Sequence, residues 1–138
     1  MSNKAEKEEI CALLICYDPT LVGTESLCLE SQGGLCIETA LSSKEAMEKI
    51  GKKKPDVIIG DFAGISVQNI AAGVAIIRSI RSKGDMTPFI VFAYDEEKEL
   101  YEKVFELGAV GFVGKSSDAS ADYPNLKKCI ASLTAHSS

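Results

Sequence analysis

The chain has 138 residues, 46% of them hydrophobic and 25% charged, with a net charge of −5. This is the size and balance of one globular domain, able to bury about two-thirds of its unfolded surface. No apolar run approaches the roughly 20 residues that span a bilayer, and the acidic balance argues against nucleic acid or an anionic membrane as a direct partner.

The opening stretch, Met1-Ser-Asn-Lys-Ala-Glu-Lys-Glu-Glu9, is charged throughout and holds no signal-peptide core. A cytoplasmic location is expected, with a frayed segment over residues 1–9, one domain over 10–135 and a short tail over 136–138. The cysteines are Cys11, Cys16, Cys28, Cys36 and Cys129, an odd count without a C-x-x-C pair, and His136 is the single histidine. That pattern argues against a disulfide framework or a zinc site and reads as small apolar fillers.

Apolar runs and helical patterns then alternate along the chain. The first run is Ile10–Cys16, and a helix is expected over Leu21–Gln32, closed by Gly33-Gly34. The second run is Leu35–Ala40, and Ser42 with Glu45 makes a capping box for a helix over Ser43–Lys52. The third run, Val57–Gly60, has the continuous Val/Ile character of a central parallel strand. A helix over Ile70–Lys83 ends at Gly84. After the fourth run, Phe89–Tyr94, the acids of Asp95–Glu99 favour the amino terminus of a helix over Glu96–Leu107. The fifth run is Val110–Val113, and Asp122-Tyr-Pro124 starts a last helix over Pro124–Thr134. Strict strand–helix alternation predicts an α/β fold: a parallel sheet with helices on both faces and right-handed crossovers.

Two charged residues close strands in this scheme. Asp61 ends Pro55-Asp-Val-Ile-Ile-Gly-Asp61, and Lys115 ends Gly108-Ala-Val-Gly-Phe-Val-Gly-Lys115. Open α/β sheets bind ligands at the carboxyl ends of their strands, which places both residues on one functional rim. An acid facing an ammonium there suits phosphoryl chemistry, the acid accepting the group and the lysine neutralising it. The plainer alternatives are a turn-capping aspartate and a solvated lysine. Asp56 is no rival to Asp61, because it starts the same strand about 17 Å away at roughly 3.3 Å per residue.

These residues resemble the receiver domain of two-component response regulators, over about residues 10–135. Gly108-Ala109 and Pro88-Phe-Ile-Val-Phe-Ala93 also fit the family. The resemblance implies a flavodoxin-like (CheY-like), doubly wound, five-stranded sheet in the order 2-1-3-4-5. It puts Asp61 at the phosphoacceptor, Lys115 at the phosphoryl contact and Phe112 at the aromatic switch. Implied partners are a histidine kinase or phosphotransfer protein upstream and an output domain or protein downstream, with a homodimer through the last two helices as a further expectation. The implied role is signal transduction in a phosphorelay rather than enzymatic turnover.

The same resemblance exposes departures. Receivers carry two adjacent acids after the first strand to hold Mg²⁺, and here those positions are Cys16 and Tyr17. Neither suits a hard cation. Asp61 is then left as the metal ligand, with Asp18 as a second, weak candidate whose alternative is capping the first helix ahead of Pro19. Weak Mg²⁺ binding is expected. Ala93 stands where the family places a phosphoryl-binding hydroxyl. If Gly73 matches the family's loop glycine, the loop from Phe62 is about four residues longer than usual.

The departures favour a competing pseudo-receiver, a docking module independent of phosphorylation. A remote third reading is an FMN-binding flavodoxin-like protein, with Thr20-Leu-Val-Gly-Thr24 as a phosphate loop. Pro19 ahead of that loop and the lack of Trp to stack a flavin argue against it.

Overall fold

The apolar runs become strands and the patterned segments become helices in the computed structural model, which describes residues 9–61, 67–94, 102, 106, 108–116 and 118–134. The strands are β1 (Ile10–Cys16), β2 (Leu35–Ala40), β3 (Val57–Asp61), β4 (Phe89–Tyr94) and β5 (Gly111–Lys115). The helices are α1 (Pro19–Glu30), α2 (Ser43–Lys52), α3 (Val67–Ser82) and α4 (Ala119–Thr134). The sheet is parallel in the order β2-β1-β3-β4-β5, as the resemblance implies.

Local chemistry sets most boundaries. Asp18 caps α1 by accepting from the Thr20 amide at 3.0 Å, with Pro19 in the first turn, where no intrahelical N–H is needed. Ser42 Oγ accepts from the Glu45 amide at 3.1 Å, while the Glu45 carboxylate reaches back to the Leu41 amide at 2.8 Å. That is a capping box shifted by one residue on its return arm. Gly33 (φ 84°) and Gly84 (φ 79°) supply the left-handed backbone after α1 and α3.

The starts of two helices differ clearly from the sequence reading. The helix expected from Ile70 already runs from Val67, so residues 67–73, the later part of the stretch expected as a lengthened loop, are helical. The last helix begins at Ala119, and Pro124 lies inside it rather than at its start. Asp118 supplies the cap by accepting from the Ser120 amide at 3.0 Å, a local Asx interaction that outweighs the proline signal. Of the helix expected over Glu96–Leu107, Glu102 and Glu106 are described and helical; its other residues and those of 62–66 lie outside the described residues.

The strand alternation sorts side chains onto two faces. Ala12, Leu14, Val57, Ile59, Ile90, Phe92 and Val113 pack with Leu29 of α1 and with Leu126 and Ile130 of α4. Leu13, Ile15, Ile58, Phe89, Val91 and Ala93 pack with Ala46 of α2 and with Ile76, Ile77 and Ile80 of α3. Each buried Leu or Ile contributes about 1.5–3 kcal/mol relative to exposure. At the amino edge of the sheet, Asp56 accepts from the Cys11 amide at 2.8 Å and joins β3 to β1. Asp56 is thus accounted for structurally.

Candidate functional site

Register brings the charged strand ends together. Cys16 of β1 pairs with Asp61 of β3, and Tyr94 of β4 pairs with Lys115 of β5. By the two-residue alternation, Cys16 follows Leu14, Asp61 follows Ile59 and Lys115 follows Val113, all on the α1/α4 face. Lys115 Nζ donates to Asp61 Oδ2 at 2.6 Å. Asp61 is 1% exposed, so this ion pair is desolvated. The aromatic rings of Phe92 and Tyr94 flank the ammonium at 5.1 and 5.7 Å from their centroids, which adds a favourable cation–π field.

The backbone just past Lys115 is fixed from α4. Asp122, itself buried, accepts from the Ser116 amide at 3.0 Å and from Ser116 Oγ at 2.7 Å. The lysine is therefore presented from a fixed turn.

Sequence reasoning missed the third charge. Glu25 of α1 is 1% exposed, and its Oε2 lies 3.2 Å from Lys115 Nζ. Two carboxylates thus share one ammonium. Glu25 Oε1 is buried without a hydrogen-bond partner. Burial pushes the Glu25 carboxyl up to about 8; the adjoining Asp61 carboxylate adds to that, and Lys115 opposes it. Burial also works against the charge of Lys115, but Asp61 and Glu25 together hold its pKa above the ordinary lysine value. One signal for Glu25 existed in the sequence. With Val22 and Leu29 it falls at i, i+3 and i+7, so an acid occupies the apolar stripe of α1.

The departures from the family pattern have distinct fates. Cys16 is fully buried, and burial pushes its thiol up to about 12, which keeps it neutral beside the two acids. Tyr17 turns toward α2, its hydroxyl 2.9 Å from Ser43 Oγ. The carboxylate of Asp18 is taken up by Thr20, whose amide and hydroxyl lie at 3.0 and 2.7 Å. Asp18 stands outside the group of ligand atoms from Cys16, Glu25 and Asp61, which lie within 4.8 Å of one another. Ala93, at 4% exposure, presents only a methyl. Phe112 is partly buried against the α2/α3 core.

The donor set fits a hard divalent cation better than the sequence suggests. Mg²⁺ is commonly held by one or two carboxylates together with phosphate and water. Asp61 and Glu25 supply two carboxylates, and the orphaned Glu25 Oε1 is a buried acceptor with no other use among the described residues. The five cysteines are free thiols.

Comparison with known proteins agrees with this architecture. No curated protein matches the chain by sequence. Among solved structures, the receiver domain protein of Clostridium thermocellum superposes with a TM-score of 0.73 at 20% identity, covering 93% of this chain and 96% of that one. The chemotaxis response regulator CheY4 of Vibrio cholerae gives 0.69 at 21% identity, covering 87% and 98%. The signal receiver domain of a signal transduction histidine kinase from Syntrophus aciditrophicus gives 0.69 at 21%, covering 91% and 90%. At such identities the structures show a shared fold. The sequence profile of the response regulator receiver domain matches residues 14–122, from the middle of β1 to the buried Asp122. With that match over most of its length, the chain belongs to the response regulator receiver domain family of two-component signalling.

Proposed function

We propose that the chain accepts a phosphoryl group on Asp61 from a phosphohistidine donor on a histidine kinase or phosphotransfer protein. The observation that carries this reading is the 2.6 Å ion pair between the buried Asp61 and Lys115 at the carboxyl rim of the sheet. An Asp61 carboxylate oxygen attacks phosphorus. The new O–P bond forms as the P–N bond breaks, and the donor imidazole leaves with the electron pair. Lys115 stays beside the acyl phosphate and offsets its charge. A divalent cation, when bound, adds charge neutralisation at the phosphoryl oxygens; Asp61 and Glu25 are the carboxylates placed to hold it.

The reaction class is signalling phosphotransfer, and the proposed setting is the cytoplasm. No described helix is long and apolar enough to cross a membrane. Output passes to a downstream domain or protein, or to a second copy through the last two helices, one of which lies largely outside the described residues.

Treatment with a small acyl phosphate or phosphoramidate, followed by intact-mass measurement, tests the assignment. One added phosphoryl group is expected on the native chain and none on Asp61→Asn. Equal labelling of both, or a label mapped elsewhere, overturns it.

The buried methyl of Ala93 favours a second reading. A phosphoryl group at Asp61 finds no hydroxyl at position 93. The loss of a charge-assisted bond of about 1.5–3 kcal/mol loosens its hold on the switch. In this pseudo-receiver reading, the domain docks its partner in one conformation whatever the state of Asp61. Unchanged partner affinity on phosphorylation is its mark.

A further inference from the structure

We propose that Glu25 is a divalent-cation ligand, so that with Asp61 it forms a two-carboxylate site for a hard ion of the Mg²⁺ or Mn²⁺ class, with the second acid carried by α1 instead of the end of β1. The strand end has lost its acids: Cys16 is a buried neutral thiol, and Tyr17 is engaged with Ser43. A carboxylate nevertheless enters the same pocket from the neighbouring helix. The ligand atoms of Glu25, Asp61 and Cys16 lie within 4.8 Å of one another, a span that one ion with bonds of about 2.1 Å can bridge.

The second, independent observation is Glu25 Oε1. It is buried, lacks a hydrogen-bond partner and belongs to a side chain 1% exposed. Leaving a buried carboxylate oxygen unsatisfied is unfavourable, and a cation resolves it. Lys115 occupies one side of the pair through Asp61 Oδ2 and Glu25 Oε2. Its ammonium satisfies those two oxygens and leaves Oε1 untouched.

The ion class follows from the donors. Two carboxylates, with water or a phosphoryl oxygen to complete the shell, suit an oxygen-seeking ion. The cation site is independent of phosphotransfer to Asp61 and requires only that Asp61 be its shared ligand.

The test uses Mn²⁺ alone, without any phosphodonor, so that its failure is separable from failure of the phosphorylation assay. Mn²⁺ binding is followed by electron paramagnetic resonance on the whole chain, and the ion is located by paramagnetic broadening of amide signals. One saturable site is expected, broadening residues around Glu25 and Asp61. Glu25→Gln, which keeps the shape and one acceptor oxygen but removes the charge, should weaken binding by roughly tenfold or more. A parallel thermal melt keeps the result readable if a variant is destabilised: Mn²⁺ should raise the native midpoint and leave that of Glu25→Gln in place. Equal Mn²⁺ affinity in the native and Glu25→Gln proteins overturns the proposal and leaves Glu25 a hydrogen-bonding neighbour of Asp61. Broadening centred on the Asp18 turn overturns it in favour of Asp18. The lack of any saturable site in the native protein also overturns it.

Discussion

At the carboxyl rim, the two faces of the sheet carry opposite kinds of chemistry. On the α1/α4 face the strands end in Cys16, Asp61 and Lys115, met by Glu25 from α1, and the charges lie almost fully buried. On the α2/α3 face, the corresponding region holds Ala93 and Phe112 over an apolar core of Ile76, Ile77 and Ile80. The strands are shared, and a one-residue step along each decides which face a side chain serves. Under the proposed function, phosphoryl chemistry and the switch positions implied by the family resemblance fall on different cores. A receiver joins them through a hydroxyl at the position of Ala93. Here one face gathers the buried charges while the position of the polar link to the other holds a methyl.

The largest expected effect comes from removing the cation of the charged face. Lys115→Met leaves Asp61 and Glu25 buried together, and a loss of about 3–5 kcal/mol in unfolding free energy is predicted from urea titration. Adding Glu25→Gln to that variant should restore part of the loss. If Lys115→Met is nearly neutral, the pocket is more open to water than its burial indicates, and the contrast between faces weakens.

A second prediction concerns pH. The folded pKa of Glu25, about 8, lies above its ordinary value of 4.5. The folded state therefore holds this proton more tightly than the unfolded chain. Its stabilising contribution is complete below about pH 4.5 and is lost as pH rises through 8. The groups facing it are Asp61 from β3, Lys115 from β5, Cys16 from β1 and Tyr123 from α4. Glu25→Gln should remove that slope, gaining on the native protein by on the order of 4 kcal/mol between pH 5 and pH 9. Parallel pH–stability curves for the two proteins would show that Glu25 titrates normally.

Restoring a hydroxyl sharpens the comparison from the other side. Ala93→Thr places added volume in a tight spot and should cost about 1–3 kcal/mol in stability. In return it should let a phosphoryl mimic at Asp61 shift the amide signals around Phe112. In the native protein those shifts should stay near Asp61, because a ligand moves an equilibrium only by its differential affinity for the two states. Shifts that already spread through Phe112 in the native protein would show that the faces communicate without the hydroxyl.

The smallest effect is expected at Asp18. Asp18→Ala removes the α1 cap and should cost about 0.5–2 kcal/mol, with Mn²⁺ affinity unchanged. A loss of affinity instead would make Asp18 a ligand.

The legibility of this molecule from sequence follows the same division. Strands such as Val57–Asp61 and Phe89–Tyr94 are visible because burial on both faces demands continuous apolar runs. Asp61 and Lys115 stand out because each interrupts such a run at its carboxyl end, and the structure joins them. Glu25 escaped because glutamate is ordinary on a helix, and only the depth at which α1 packs shows that this one faces inward. Pro124 misled for a local reason: Asp118, with Ser120, starts α4 earlier than the proline signal suggests. Residues 67–69 fall outside the helix expected from Ile70, yet they form the first turn of α3.

Asp122 sets where this domain can be cut. It belongs to α4, yet its carboxylate fixes the Ser116 turn that carries Lys115. A fragment trimmed after β5 would keep every strand of the sheet and still lose the support of its lysine. The helix is thus part of the smallest portable unit, and grafting this receiver onto another protein should place the junction beyond α4 rather than at the end of the sheet.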